Sequence, residues 1–335
     1  MRGFNLLYFF NDRHPVDTDE ADFRRIAEWG FNFVRLPMSY YYWADPAAPN
    51  AIDERFWEKI DGILGWADKY NLHLCLNFHR APGYCVASEP AEPFDLWHDA
   101  VALECFLTHW RYVAGRYKSI SPERLSLNLV NEPPATFRPG EAAVADGMSE
   151  HVAVAHERLV HVYRSAIDAI REVDPARPVV IDGTCVGNDP VPEINIPGVT
   201  QSCRGYQPFG LSHYKATWPA YKPTRLPTWP FLERDGRHWD ASTLAEAFAP
   251  WSDLQAQGVA VHCGEWGVFC HTPHAVALAW MESFLALLKE RHVGWSLWNL
   301  NGPFGIIDSE RTDITYEDLD GKSLDRAMLA LLQRY

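Results

Sequence analysis

The sequence returns repeatedly to a short apolar run of strand character, and most of these runs stop on a polar or ionisable residue before a helical stretch begins. After a first short strand around Leu6, such runs lie at 31–37, 72–79, 124–134, 178–183, 260–265 and 294–299, with a sixth strand in chain order expected at 209–214. Strands this apolar are covered on both faces, and the helix-length segments between them are what parallel crossovers require. Helices are expected from 17 through Trp29, then at 53–70, 99–118, 148–173, 242–257, 275–291 and 324–332. Asp53 and Ser242 suit helix starts and Gly30 a helix stop. Eight strands with helices between most of them predict an α/β fold, a single (β/α)8 barrel with extended loops after its strands, and one domain over 1–335.

The run at 124–134, Arg-Leu-Ser-Leu-Asn-Leu-Val-Asn-Glu-Pro-Pro, shows how such a chain presents chemistry. Its alternating apolar residues read as a buried strand. Pro133 and Pro134 stop strand pairing and forbid an immediate helix, so Asn131 and Glu132 are left at the strand's C-terminal end. A carboxyl group at the mouth of a buried strand is costly to place without a task.

Composition narrows the partners. Lys and Arg number 30 against 44 Asp and Glu, a net charge of −14, and no basic cluster is present to neutralise a phosphate backbone, so nucleic acid and anionic membranes are excluded as expectations. No run of about 18 apolar residues offers a spanning helix. The opening Met1-Arg2-Gly3-Phe4-Asn5 lacks the pattern of a signal peptide, so a cytoplasmic protein is expected, or a secreted one whose signal has been removed. The seven cysteines, odd in number and without CxxC spacing, are expected as reduced, mostly buried thiols.

In a (β/α)8 barrel the chemistry gathers at the C-terminal strand ends. Those ends here are Arg35, His79, Asn131 with Glu132, His213 with Tyr214, Glu265, and Trp298. Each has a plainer explanation as packing or a structural ion pair; their collection at one rim favours a site. Glu132 and Glu265, delivered by strands four and seven, suit the two-carboxylate scheme of glycoside hydrolysis. Arg35, and the Tyr214 hydroxyl if it points inward, would keep one carboxylate charged, while burial and the neighbouring negative charge would raise the pKa of the other. A carboxyl separation of about 5 Å implies retention of configuration, and about 6.5 Å or more inversion.

The ordered set Phe33-Val34-Arg35-Leu36-Pro37, Phe78-His79, Leu129-Val130-Asn131-Glu132-Pro133, a His-Tyr pair, Gly264-Glu265-Trp266-Gly267 and Gly294-Trp295-Ser296-Leu297-Trp298 resembles glycoside hydrolase family 5, the cellulase-type family, over nearly the whole chain. The resemblance implies a retaining double displacement without a cofactor or metal. Glu132 would be the acid/base, Glu265 the nucleophile, Asn131 the donor to the sugar 2-hydroxyl, Arg35 and His79 supports of the charged site, and Trp298 the floor of the sugar subsite at the cleaved bond. One departure stands out: the family pattern has His, one residue, then Tyr on strand six, whereas His213 and Tyr214 are adjacent and Ser212 lies two before Tyr214. Either His213 takes the histidine's place or Tyr214 matches and Ser212 replaces it.

Sugar rings stack on aromatic side chains. The segment 217–240 carries Trp218, Tyr221, Trp229, Phe231 and Trp239, and with Arg80, Tyr84 and His271 these are candidates for outer subsites. The expected partner is a β-linked carbohydrate: a glucan cut in endo fashion, or a soluble glycoside cut by an exo-acting β-glucosidase, β-mannosidase or similar enzyme. A non-catalytic carbohydrate-binding barrel is the alternative from another class, and a metal-dependent hydrolase using His79, His213, Glu132 and Glu265 a third. The chain is expected to act as a monomer.

Overall fold

A computed structural model describes residues 1–10, 16–141, 152–219 and 222–335. Eight parallel strands form the barrel: β1 (Arg2–Asn5), β2 (Phe33–Ser39), β3 (His73–Ala81), β4 (Leu125–Asn128), β5 (Val179–Asp182), β6 (Val199–Gly205), β7 (Ala260–Trp266) and β8 (Gly294–Leu297). The ring runs β2-β1-β8-β7-β6-β5-β4-β3, and β3 pairs back onto β2 to close it. Around it lie α1 (Glu20–Glu28), α2 (Glu54–Lys69), α3 (Ala100–Tyr117), α4 (His156–Val173), α5 (Ala241–Ala247), α6 (Ala249–Ala256), α7 (His274–Glu290) and α8 (Arg326–Arg334). The (β/α)8 expectation is met.

Local chemistry explains most helix ends. Asp19, Asp53 and Asp325 accept backbone N–H bonds at the starts of α1, α2 and α8, and Asp240 with Thr243 forms a capping box on α5. The helix expected at 242–257 is two helices that meet at Phe248, because Pro250 has no N–H to continue α5 and instead sits in the first turn of α6. The expected helix start near Met148 lies outside the described residues, and α4 begins at His156.

Two strand assignments need correction. The first strand ends at Asn5, one residue before Leu6. More consequentially, 209–214 is not strand six: Phe209–Ser212 is one turn of helix, and β6 is Val199–Gly205. The link from β5 to β6 contains no full helix, only the turn Thr184–Gly187 and an extended loop. Gln201 on β6 holds that loop by accepting from Val191 N–H and donating to the carbonyls of Val191 and Ile194. Thr200 and Ser202, also of β6, line the barrel interior at a cavity of about 300 Å³ that also touches Cys75, Ser126 and Gly264. A strand polar on both faces has no apolar pattern to betray it.

Candidate active site

At the C-terminal mouth, strand ends bring two guanidinium groups among three carboxylates. Arg35 of β2 donates through Nη1 to Glu265 Oε1 at 2.6 Å and to Asn5 Oδ1 at 3.0 Å. Its Nε donates to Asn128 Oδ1 at 2.9 Å and its Nη2 to Asn131 Oδ1 at 2.8 Å. Asn5 in turn donates through Nδ2 to the carbonyls of Gly264, Ser296 and Leu297, so one buried amide links β1, β7 and β8.

The second guanidinium is Arg204, at the end of β6, with a side chain only 1% exposed. It donates through Nε to Glu132 Oε1 at 2.8 Å, and through Nη2 to Asn131 Oδ1 at 2.9 Å, Glu265 Oε1 at 3.3 Å and the Asp182 carboxylate. Its placement is a matter of register. The β6–β7 pairing slips by one residue between Cys263 and Glu265, so that Glu265 stands opposite Arg204, and a bulge of this kind re-aims a side chain.

Glu132 follows β4 with a backbone φ of 46°, a left-handed conformation that a non-glycine residue adopts only when its surroundings hold it there. The holders are identifiable. Its N–H donates to Asp182 Oδ2, its carbonyl accepts from the Tyr84 hydroxyl at 2.6 Å, and Pro133 and Pro134 accept from the N–H groups of Val186 and Cys185. Burial, then the negative charge of Glu265, pushes the Glu132 carboxyl up to about 7, against the opposing pull of Arg204.

Asp182, which ends β5, is fully buried; it also accepts from Asn128 Nδ2 and stands 3.9 Å from Arg35. Tyr206, two residues beyond Arg204, donates its hydroxyl to Glu265 Oε2 at 3.2 Å, and burial followed by the charges of Glu265 and Glu132 keeps that hydroxyl protonated. The expected tyrosine contact to Glu265 therefore exists, but it is made by Tyr206 and not by Tyr214. With Asn131 Oδ1 committed to both guanidiniums, its buried Nδ2 has no hydrogen-bond partner among the described residues and is a donor ready for a ligand.

His79 and Trp298 lie side by side, ring centroids 5.7 Å apart and nearly parallel, with Phe10 edge-on to both. Burial, then the charges of Arg35 and Arg204, pushes the His79 imidazole well below its ordinary range, so it is neutral. His213 and Tyr214 are displaced from the carboxylates together with the misassigned strand. His213 stacks on Phe209 at 4.0 Å and its Nδ1 meets Ser212 Oγ; burial alone pushes it down to about 3. Tyr214 is buried beneath Lys215.

The outer-subsite candidates divide. Trp218 is 58% exposed and rests edge-on against Phe269, in a group that also holds Phe304, His213 and, against Phe269, His271. Trp229 is tied by its indole N–H to Ser283 of α7, and Trp239 is buried under Arg237 in a short hairpin, so both pack rather than project. Arg80 is buried against Glu92 and the carbonyls of Glu89 and Pro90, and Tyr84 is the brace of Glu132 already described. Tyr221 lies outside the described residues.

Sequence reading missed Arg204, Asp182, Tyr206, Asn5, Asn128 and Phe10. The signal for two of them was present, since Arg204-Gly205-Tyr206 has the spacing of the His-x-Tyr pattern with arginine in the histidine's place. Among the described residues no cluster of three or more His, Cys, Asp or Glu side chains is arranged to hold a metal ion, and no helix is long and apolar enough to cross a membrane. All seven cysteines are free thiols.

Known proteins resemble the chain over most of its length. The chain is 26% identical to Endoglucanase C of Acetivibrio thermocellus, over 94% of each protein, and 24% identical to Cellodextrinase A of Ruminococcus flavefaciens, over 84% of this chain and 80% of that one. Among solved structures, a glycoside hydrolase superposes with a TM-score of 0.90 at 39% identity, covering 99% of this chain and 98% of the other. Thermotoga maritima Cel5A, solved with mannotriose, shares the fold at a TM-score of 0.76 and 21% identity, covering 99% of this chain and 96% of the other. The family described as Cellulase (glycosyl hydrolase family 5) matches residues 1–303, and the chain belongs to that family of β-glycoside hydrolases.

Proposed function

We propose that the protein is a retaining, endoglucanase-like hydrolase of β-linked glucans, with Glu132 as acid/base and Glu265 as nucleophile. The observation that carries the reading is the division of labour between the two carboxyls. Glu132 is pushed up to about 7 and so holds a proton near neutrality, while Glu265 accepts hydrogen bonds from two guanidiniums and a hydroxyl, those of Arg35, Arg204 and Tyr206. One guanidinium touches both, which supports the close spacing that double displacement needs. The Asn131 Nδ2 donor faces the sugar 2-hydroxyl in this scheme, Trp298 supplies the apolar platform beneath the ring, and Trp218 a further platform along the cleft. The glucan preference follows the relatives named endoglucanase and cellodextrinase.

The test is the initial rate on aryl β-glycosides and on soluble glucan, mannan and xylan oligosaccharides, with Glu265→Ala as control and product sizes recorded. Cleavage of internal glucan bonds, abolished in the control and restored in part by azide, is the expected result. Turnover surviving in Glu265→Ala overturns the assignment.

A further inference from the structure

The position two before Tyr206, where the family pattern puts histidine, holds Arg204, and the fold has made a socket for it. Gly187, at φ +83°, leaves space for the arginine stem, since a Cβ there would lie 2.6 Å from Arg204 Cγ. Gly264 does the same at the other end, where a Cβ would stand 2.3 Å from Ser202 Oγ and 3.3 Å from Arg204 Nη1. Within the socket Nη1 donates to Ser202 Oγ and the Cys203 carbonyl, and Nε and Nη2 reach Glu132, Asn131, Asp182 and Glu265. A histidine offers two ring nitrogens and is cationic only when protonated; a guanidinium offers five N–H donors and stays charged.

We propose that Arg204 is a positioning residue that holds charge, a fixed cation spanning the acid/base and the nucleophile over which one negative charge passes from Glu265 to Glu132 and back in each turnover. The inference rests on the roles proposed above for those two glutamates. In the first half-reaction Glu132 gives its proton to the glycosidic oxygen, the C1–O bond breaks with its electron pair on that oxygen, and a Glu265 oxygen bonds to C1. Glu265 is then a neutral ester and Glu132 a carboxylate. In the second, Glu132 takes a proton from water, the water oxygen bonds to C1, and Glu265 leaves as carboxylate. Arg204 Nη2 faces the charge at the start and Nε faces it in the intermediate, so the anion moves along one rigid group without crossing unpaired space. Asp182 is the counter-ion that stops Arg204 from holding Glu132 ionised in the free enzyme. The other groups facing Glu132 are Glu265 and, beyond it, Arg35, with the Tyr84 hydroxyl on its carbonyl and the Tyr206 hydroxyl on Glu265.

The experiment compares wild type with Arg204→Gln, Arg204→His and Arg204→Lys, folding being checked by thermal melting. Two pH profiles are read on the aryl β-glycoside that wild type cleaves: kcat/KM, whose alkaline limb reports Glu132 as acid, and kcat on the dinitrophenyl glycoside, whose acid limb reports Glu132 as base in the intermediate. In Arg204→Gln and in Arg204→His both limbs move up by about one pH unit or more, a tenfold change in proton affinity. Arg204→Lys, which keeps the charge, returns the limbs toward wild type. Limbs that stay in place in properly folded variants reduce Arg204 to a structural role and overturn the inference. Labelling by a 2-deoxy-2-fluoro glycoside separates this failure from failure of the underlying reading: a label on Glu265 upholds double displacement whatever Arg204 does, and its absence overturns both.

Discussion

Two guanidiniums, Arg35 and Arg204, face three carboxylates, Glu132, Asp182 and Glu265, so a proton on one carboxyl makes the cluster neutral. Burial and the charge of Glu265 put that proton on Glu132. Its loss as the pH rises through about 7 is expected to lower kcat/KM on that limb. Glu132→Ala should lose the limb and about 10²–10⁴-fold of rate on a substrate with a poor leaving group, with far less loss on a dinitrophenyl glycoside. Comparing the two leaving groups across pH measures this directly, and equal losses on both would count against the acid role. At this scale the sequence was readable wherever a residue's position follows from its own strand. Arg35, Asn131, Glu132 and Glu265 lie within contiguous apolar motifs that end on them. Asp182 and Arg204 matter through contacts made across strands, and the slip at Gly264 that faces Arg204 toward Glu265 leaves no mark in either strand alone.

Among the elements, seven barrel strands announced themselves by apolar runs and one did not. Strand β6 spends its outward-facing Gln201 on a loop that stands where a crossover helix would, and its inward face carries Thr200, Ser202 and Arg204. The apolar segment 209–214 drew the strand assignment away from it, and the assignment of His213 and Tyr214 to the site followed. Gln201→Leu is expected to destabilise the protein by about 1–3 kcal/mol, because the N–H and C=O of Val191 lose their partner in a buried place. Chemical denaturation checks it, and an unchanged midpoint would mean that water replaces the amide. The helices were readable to within three residues where an aspartate caps them, as at α1, α2 and α8.

For the whole molecule, pH enters through histidines buried away from the site as much as through the site. Burial holds His109 down at about 4 and His213 and His262 at about 3, and lowers His73 as well. An unfolded chain takes up protons on these groups near pH 6.5 while the folded chain refuses them. Stability from this source is full above that pH and falls as the pH drops toward the folded values, by up to about 1.4 kcal/mol per pH unit for each group. Glu132 acts in the opposite sense, since its folded value lies above its unfolded one and stability falls as the pH rises from about 4.5 to about 7. The expected outcome is a loss of unfolding free energy below about pH 6 with more than one proton taken up, read from denaturation midpoints across pH; a flat profile between pH 6 and 4 would contradict it.

The amide of Asn5 adds a constraint of another kind. Through it and Arg35, the support of Glu265 is drawn from β1, β2, β7 and β8, and the bond from Asn5 to the Gly264 carbonyl spans 259 residues of sequence. Most of a protein this size can be divided into local units that each hold their own shape, but this carboxylate belongs to none of them. Its surroundings exist only after the ring has been sewn shut between the strand that comes first and the strand that comes last. The setting of Glu265 is thus a property of topology, absent from any fragment that leaves the ring open.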